Sequence, residues 1–204
     1  MLTAFVSFYA LNAAKFYLDS VLGNDAVAVY GFISMPVFAI SLLSSFIYNP
    51  QILDLSNDYH DKNICKYKKR IVTQIVIILG LTVLTSIITW LIGIPILELV
   101  FAVNLKSYRF ALTILVISGG FLAIASYLNV TLVVEKRPIL PLLAYSIAVS
   151  VSFFIYRPLI EHIGIDGASI GFFFVMLINA ILSIIFECFS LRSLFKNIGR
   201  VNNA

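Results

Sequence analysis

The stretch KFYLDSVLGNDAVAVYGF, residues 15–32, decides how the chain is read. Lys15 and Asp19 stand four residues apart, so in a helix they share one face. Whether that face meets solvent or a buried pathway depends on the medium, and the rest of the sequence identifies the medium. Of 204 residues, 61% are hydrophobic and 12% charged, and mean hydropathy is +1.02. Soluble domains carry about twice that share of charge. The composition is that of a membrane protein.

Charged residues are absent from 26–53, 71–97, 110–134, 138–156 and 167–186. A span needs about 20 mostly apolar residues to cross about 30 Å of hydrocarbon. These five runs qualify or come close, and residues 2–22 make a sixth that Lys15 and Asp19 interrupt. Barrel strands would show short alternating segments instead. The expectation is all-α: a polytopic bundle of six helices in a single domain, 1–204. Its spans fall near 2–22, 26–53, 71–94, 108–134, 138–157 and 167–190, with a cytoplasmic loop at 54–70. No basic residue precedes Lys15, so no secretory signal is read; either the chain starts natively or it begins partway through a longer protein.

Lysine and arginine set the orientation. Lys62, Lys66, Lys68, Lys69, Arg70, Lys136, Arg137, Arg192, Lys196 and Arg200 fall on one side, against Lys106, Arg109 and Arg157 on the other. Both termini are therefore expected in the cytoplasm. The net charge of +4 is a topology signal and not a nucleic-acid patch. Lys66 to Arg70 could also hold anionic lipid headgroups. Cys65 and Cys188 fall on the cytoplasmic side, where reduced thiols are expected.

Asp25 is expected to cap the second helix. LGNDAVAVYGFISM (22–35) aligns without gaps against IGIDGASIGFFFVM (163–176), matching Gly, Asp, Phe and Met. Either this is an internal repeat or any outer turn followed by a helix start looks so. Pro36 falls inside the second helix and Pro95 is expected to end the third, before a short interfacial helix. Pro138 and Pro141 fit the first turn of the fifth span. Small residues four apart at Ala10 and Ala14, Ser41 and Ser45, Gly119 and Ala123, Ser146 and Ser150, and Gly167 and Gly171 favour close helix packing.

The chemistry of catalysis is missing from the pattern. There is no His-Glu-x-x-His, Gly-x-Ser-x-Gly or glycine-rich phosphate loop. His60 and His162 read as solvated loop residues, so neither a metal nor a cofactor is expected. Arg157-Pro158 resembles part of a lipid-phosphatase motif, but Ser150 stands where that motif has lysine. What remains is polar groups at membrane depth. A lysine at a helix centre costs about 2.5–3.5 kcal/mol and by default faces a bundle interior or water. Lys15 therefore heads the candidate substrate-binding residues, with Asn12, Asp19, Asn129 and Arg157. The alternatives for Lys15 are snorkelling or pairing with Asp19. Asn129 and Asn179 are expected to bond a neighbouring helix, and Glu187 to pair with Arg192.

The run NAAKFYLDSVLGNDAVAVYGFISMP, the basic loop, the segment LVFAVNLKSY, the EKRP turn and GIDGASIGFFF resemble the C-terminal half of polysaccharide flippases. These belong to the multidrug/oligosaccharidyl-lipid/polysaccharide superfamily, whose members set two six-helix lobes around a cavity. The resemblance implies a bacterial plasma-membrane flippase in which Lys15 helps hold the pyrophosphate of a polyprenyl-linked oligosaccharide while the lobes rock. It also implies a partner for this lobe, because only one is present: a missing N-terminal half or a second copy. The rival readings are a cation-coupled multidrug exporter, for which Asp19 would matter, and a non-transporting scaffold subunit or inactive fragment.

Overall fold

A computed structural model describes residues 2–201, with side chains described through residue 192. Lys196 and Arg200 thus lie outside the described side chains. Eight α-helices follow one another: α1 (Leu2–Leu22), α2 (Asn24–Tyr48), α3 (Ile52–His60), α4 (Ile64–Ile88), α5 (Ile94–Phe101), α6 (Arg109–Val134), α7 (Ile139–Ile163) and α8 (Ile165–Val201). No strand occurs among the described residues.

The helical stretches Asn24–His60, Ile64–Phe101, Lys106–Val134, Ile139–Ile163 and Ile165–Arg192 are each long and apolar enough to cross a membrane. At 21 residues, α1 reaches about 32 Å, but Asn12, Lys15 and Asp19 dilute its apolar character. The chain is thus a helical bundle compatible with a membrane protein, with five such stretches and α1 beside them.

Of the expected loop at 54–70, only residues 61–63 lie outside helices. The apolar face of α3 buries Leu55, which is why this polar stretch stays helical. Pro95 does not stop the third helix. Residues 89–93 form a π turn that runs directly into α5, where Pro95 sits at the helix start and removes no needed amide bond. The chain turns only at Ala102, in the left-handed region at φ 54°.

The core sits around α6, which packs against α8, α2 and α4. Glycine makes this possible. A Cβ at Gly119 would lie 3.1 Å from the Val37 Cα, and one at Gly120 would collide with Thr82. Likewise Gly167 lies on the Leu159 carbonyl, and a Cβ at Gly171 would stand 2.8 Å from the Tyr156 ring. Ala10 and Ala14 are fully buried on α1. The two serine pairs play no such part: Ser45 and Ser150 return their hydroxyls to Leu42 and Ser146 carbonyls of their own helices.

The two matching segments share a backbone device. Single glycines join α1 to α2 and α7 to α8: Gly23 at φ 80° and Gly164 at φ 64°. Asp25 and Asp166 each occupy the first turn that follows. Gly23, and not Asp25, holds the N-cap position of α2, and no side chain caps it. Both turns line one cavity of about 500 Å³ with Asp25, Tyr108 and Ile163.

Candidate functional site

A helix advances about 100° per residue, which places Asn12, Lys15 and Asp19 within an arc of about 60°. Ala10, Ala13, Ala14 and Leu18 occupy the buried arc of α1. The polar stripe therefore points away from the bundle's own core. Lys15 is half-buried at the seam with α2, its Nζ 5.9 Å from the centre of the Phe38 ring. Such a contact contributes about 0.5–1 kcal/mol at an exposed site, less than the cost of placing the ammonium in hydrocarbon. Asn12 donates through Nδ2 to the Phe8 carbonyl at 2.9 Å. Among the described residues no ion pair joins Lys15 to Asp19.

Asn129 belongs to a different seam. Its Oδ1 accepts from Ser183 at 3.5 Å, linking α6 to α8. The Tyr145 hydroxyl of α7 lies among Asn179, Ser126 and Asn129. The Ser183–Asn129 contact links α6 to α8, but the expectation that Asn179 bonds a neighbouring helix is not met, since neither of its buried polar atoms has a hydrogen-bond partner among the described residues. Arg157 is elsewhere again, exposed and paired with Glu161 at 2.9 Å one turn on. The sequence candidates thus resolve into one outward stripe on α1, one internal tie and one exposed arginine on α7.

At the opposite, basic end, Arg70 of α4 meets Asp58 at 2.6 Å and Asp54 at 3.3 Å on α3. A cavity of about 300 Å³ opens beside it, lined by Gln51, Lys66, Lys69, Arg70 and Thr73. An apolar cleft of about 320 Å³ lies between α4 and α6, around Leu79, Ile87, Ile117 and Phe121. Lys15 lines neither of these, nor the cavity at the glycine turns.

Sequence reasoning missed a buried acid pair. Glu135 follows α6 and Glu187 lies in α8, each only 3% exposed. The Tyr67 hydroxyl of α4 donates to Glu135 Oε1 at 3.0 Å, and Thr131 Oγ1 lies 2.7 Å from Glu187 Oε2. Both carboxyl groups lie close to the Tyr67 hydroxyl. Glu187 therefore lies with Thr131 and Tyr67 and not with Arg192, which is exposed. A usable signal was present: Glu187 interrupts an apolar helix, and a buried acid there needs a partner. Compared with protein-family models, curated proteins and solved structures, the chain gives no match.

Proposed function

We propose that this chain is one lobe of a flippase for polyprenyl-pyrophosphate-linked oligosaccharide or polysaccharide units, seated in a bacterial plasma membrane with both termini cytoplasmic. The observation that carries this reading is the outward polar stripe of α1. Among the described residues Lys15 has no carboxylate partner, and Asn12 is bonded within its own helix. An ammonium at mid-helix facing away from its own bundle calls for water, an anion or another protein. A second lobe, from further chain or a second copy, would turn that face into the wall of a wet cleft. In a low-dielectric cleft a pyrophosphate is held by fixed positive charge, and lysine supplies it as a point charge.

Asp19 on the same stripe is exposed and favours a second reading, a cation-coupled exporter. Replacing the two charges separately distinguishes the readings. With the full chain in liposomes carrying a fluorescent polyprenyl-pyrophosphate lipid, Lys15→Ala is expected to lower binding about tenfold or more, the order of one charge-assisted contact, while Asp19→Asn leaves it within twofold. The reverse pattern contradicts the flippase reading. Indifference to both favours a scaffold subunit held by helix packing at Gly167 and Gly171.

A further inference from the structure

We propose that the basic cavity between the start of α4 and the junction of α2 with α3 is a headgroup site for an anionic phospholipid. The cavity, of about 300 Å³, is lined by Gln51, Lys66, Lys69, Arg70 and Thr73. The last four come from α4 at i, i+3, i+4 and i+7, which at about 100° per residue places them within an arc of about 100°. Lys68 stands on the opposite side of the same helix and does not line the cavity. The excess of lysine and arginine at one membrane face accounts for the sign of this segment. It does not account for three cations converging on one concavity.

The cations differ in what they can offer. Arg70 is committed, with Nε 2.6 Å from Asp58 and Nη1 3.3 Å from Asp54. The two carboxylates fix the guanidinium and offset its charge, so attraction for an anion rests on Lys66 and Lys69. Lysine holds phosphate as a point charge. Gln51 donates through Nε2 to the Ile47 carbonyl at 3.4 Å, and its amide nitrogen carries a second hydrogen. The Thr73 hydroxyl adds a neutral donor at the edge nearer the hydrocarbon. Two lysines with neutral donors beside them suit the single negative charge of a phosphodiester.

The surface that this arc runs into separates a lipid from a free phosphate. Arg70 is the last charge before the uncharged run 71–97, so the cavity sits where α4 passes from water to hydrocarbon. Beyond Thr73 the same arc continues through Ile77, Gly80 and Leu84. Ile77 is 38% exposed and Leu84 56%, and an added Cβ at Gly80 would meet nothing within 4 Å. From Thr73 to Leu84 is about 17 Å along the helix, close to the depth of one leaflet, about 15 Å. A lipid whose phosphate fills the cavity lays its acyl chains along this apolar strip. Free phosphate leaves the strip unused. The bound lipid fastens the α3–α4 corner to the membrane surface, independently of what the α1 stripe binds.

Calorimetric titration of the full chain in detergent micelles tests the site, with dioctanoyl phosphatidylglycerol, dioctanoyl phosphatidylcholine and inorganic phosphate as probes. Phosphatidylglycerol is expected to bind at least about tenfold more tightly than either of the others, and less tightly as salt is raised. Lys66→Gln combined with Lys69→Gln is expected to lower its affinity about tenfold or more, the order of a lost charge-assisted contact. Lys62→Gln combined with Lys68→Gln removes the same formal charge from residues outside the cavity and should leave affinity within twofold. All four lysines are exposed, so neither double variant disturbs the core. The proposal is overturned if both double variants weaken binding equally, which would reduce the site to diffuse surface charge, or if neither does. Equal affinity for phosphatidylcholine also overturns it. Inorganic phosphate binding as tightly as phosphatidylglycerol would identify a soluble-anion site in the lipid's place.

Discussion

A hydrogen atom's worth of space decides much of this molecule at the residue scale. Gly167 and Gly171 face α7, where a Cβ would meet the Leu159 carbonyl and the Tyr156 ring. Gly31, on α2, has nothing within 4 Å of the same added atom. Gly167→Ala is therefore expected to lower stability by about 1–3 kcal/mol, because backbone must shift. Gly31→Ala should be neutral or raise it by up to about 1 kcal/mol, by removing chain entropy. Thermal unfolding of both variants in one detergent checks the contrast; equal effects would mean that α7 and α8 are not in this contact. The pairing of Gly167 with Gly171 was legible from spacing. The acid pair was not, since Glu135 and Glu187 are brought together only by how α6 and α8 pack.

Elements begin and end where local backbone chemistry allows, and sequence signals located those ends better than they explained them. The break between α1 and α2 fell where Gly23 and Asp25 suggested, yet the glycine makes it. At φ 80° Gly23 occupies a region costly to other residues. Asp25 makes no cap bond and offers its charge only to the positive end of the helix. Gly23→Ala should thus cost about 1–3 kcal/mol. Asp25→Ala should cost only about 0.3–1 kcal/mol, and less in high salt. Salt-dependent melting separates the two; a larger, salt-independent loss for Asp25→Ala would restore the capping role. Pro95 misled for a related reason. A proline breaks a helix only where an amide is needed, and the π turn at 89–93 hands the chain to a new helix start.

Across the whole molecule, burial is lopsided. The apolar window within Lys106–Val134 is 72% buried, while that within Ile64–Phe101 is 11% buried. One helix forms the core and the others offer apolar side chains outward, such as Phe154 on α7, 81% exposed. That pattern suits lipid. The stripe of Asn12, Lys15 and Asp19 does not, and under the proposed function it is the face that a second lobe or a second copy of the chain would cover. Hydropathy located the helices, and spacing put these three residues on one face. Neither could show that the face turns away from the bundle, because that depends on which arc of α1 its neighbours cover.

The most direct test of that account is water access at position 15. Cys65 and Cys188 are exposed thiols and would first be replaced by alanine. Cysteine is then placed singly by Lys15→Cys and Phe154→Cys, and intact membranes are treated with a charged maleimide that reacts only with hydrated thiolate. The account predicts labelling at position 15 at least about tenfold faster than at position 154, because only the former opens to a wet cleft. Equal, lipid-like protection at both positions would contradict it, leaving a helical bundle in the membrane without a pathway along α1.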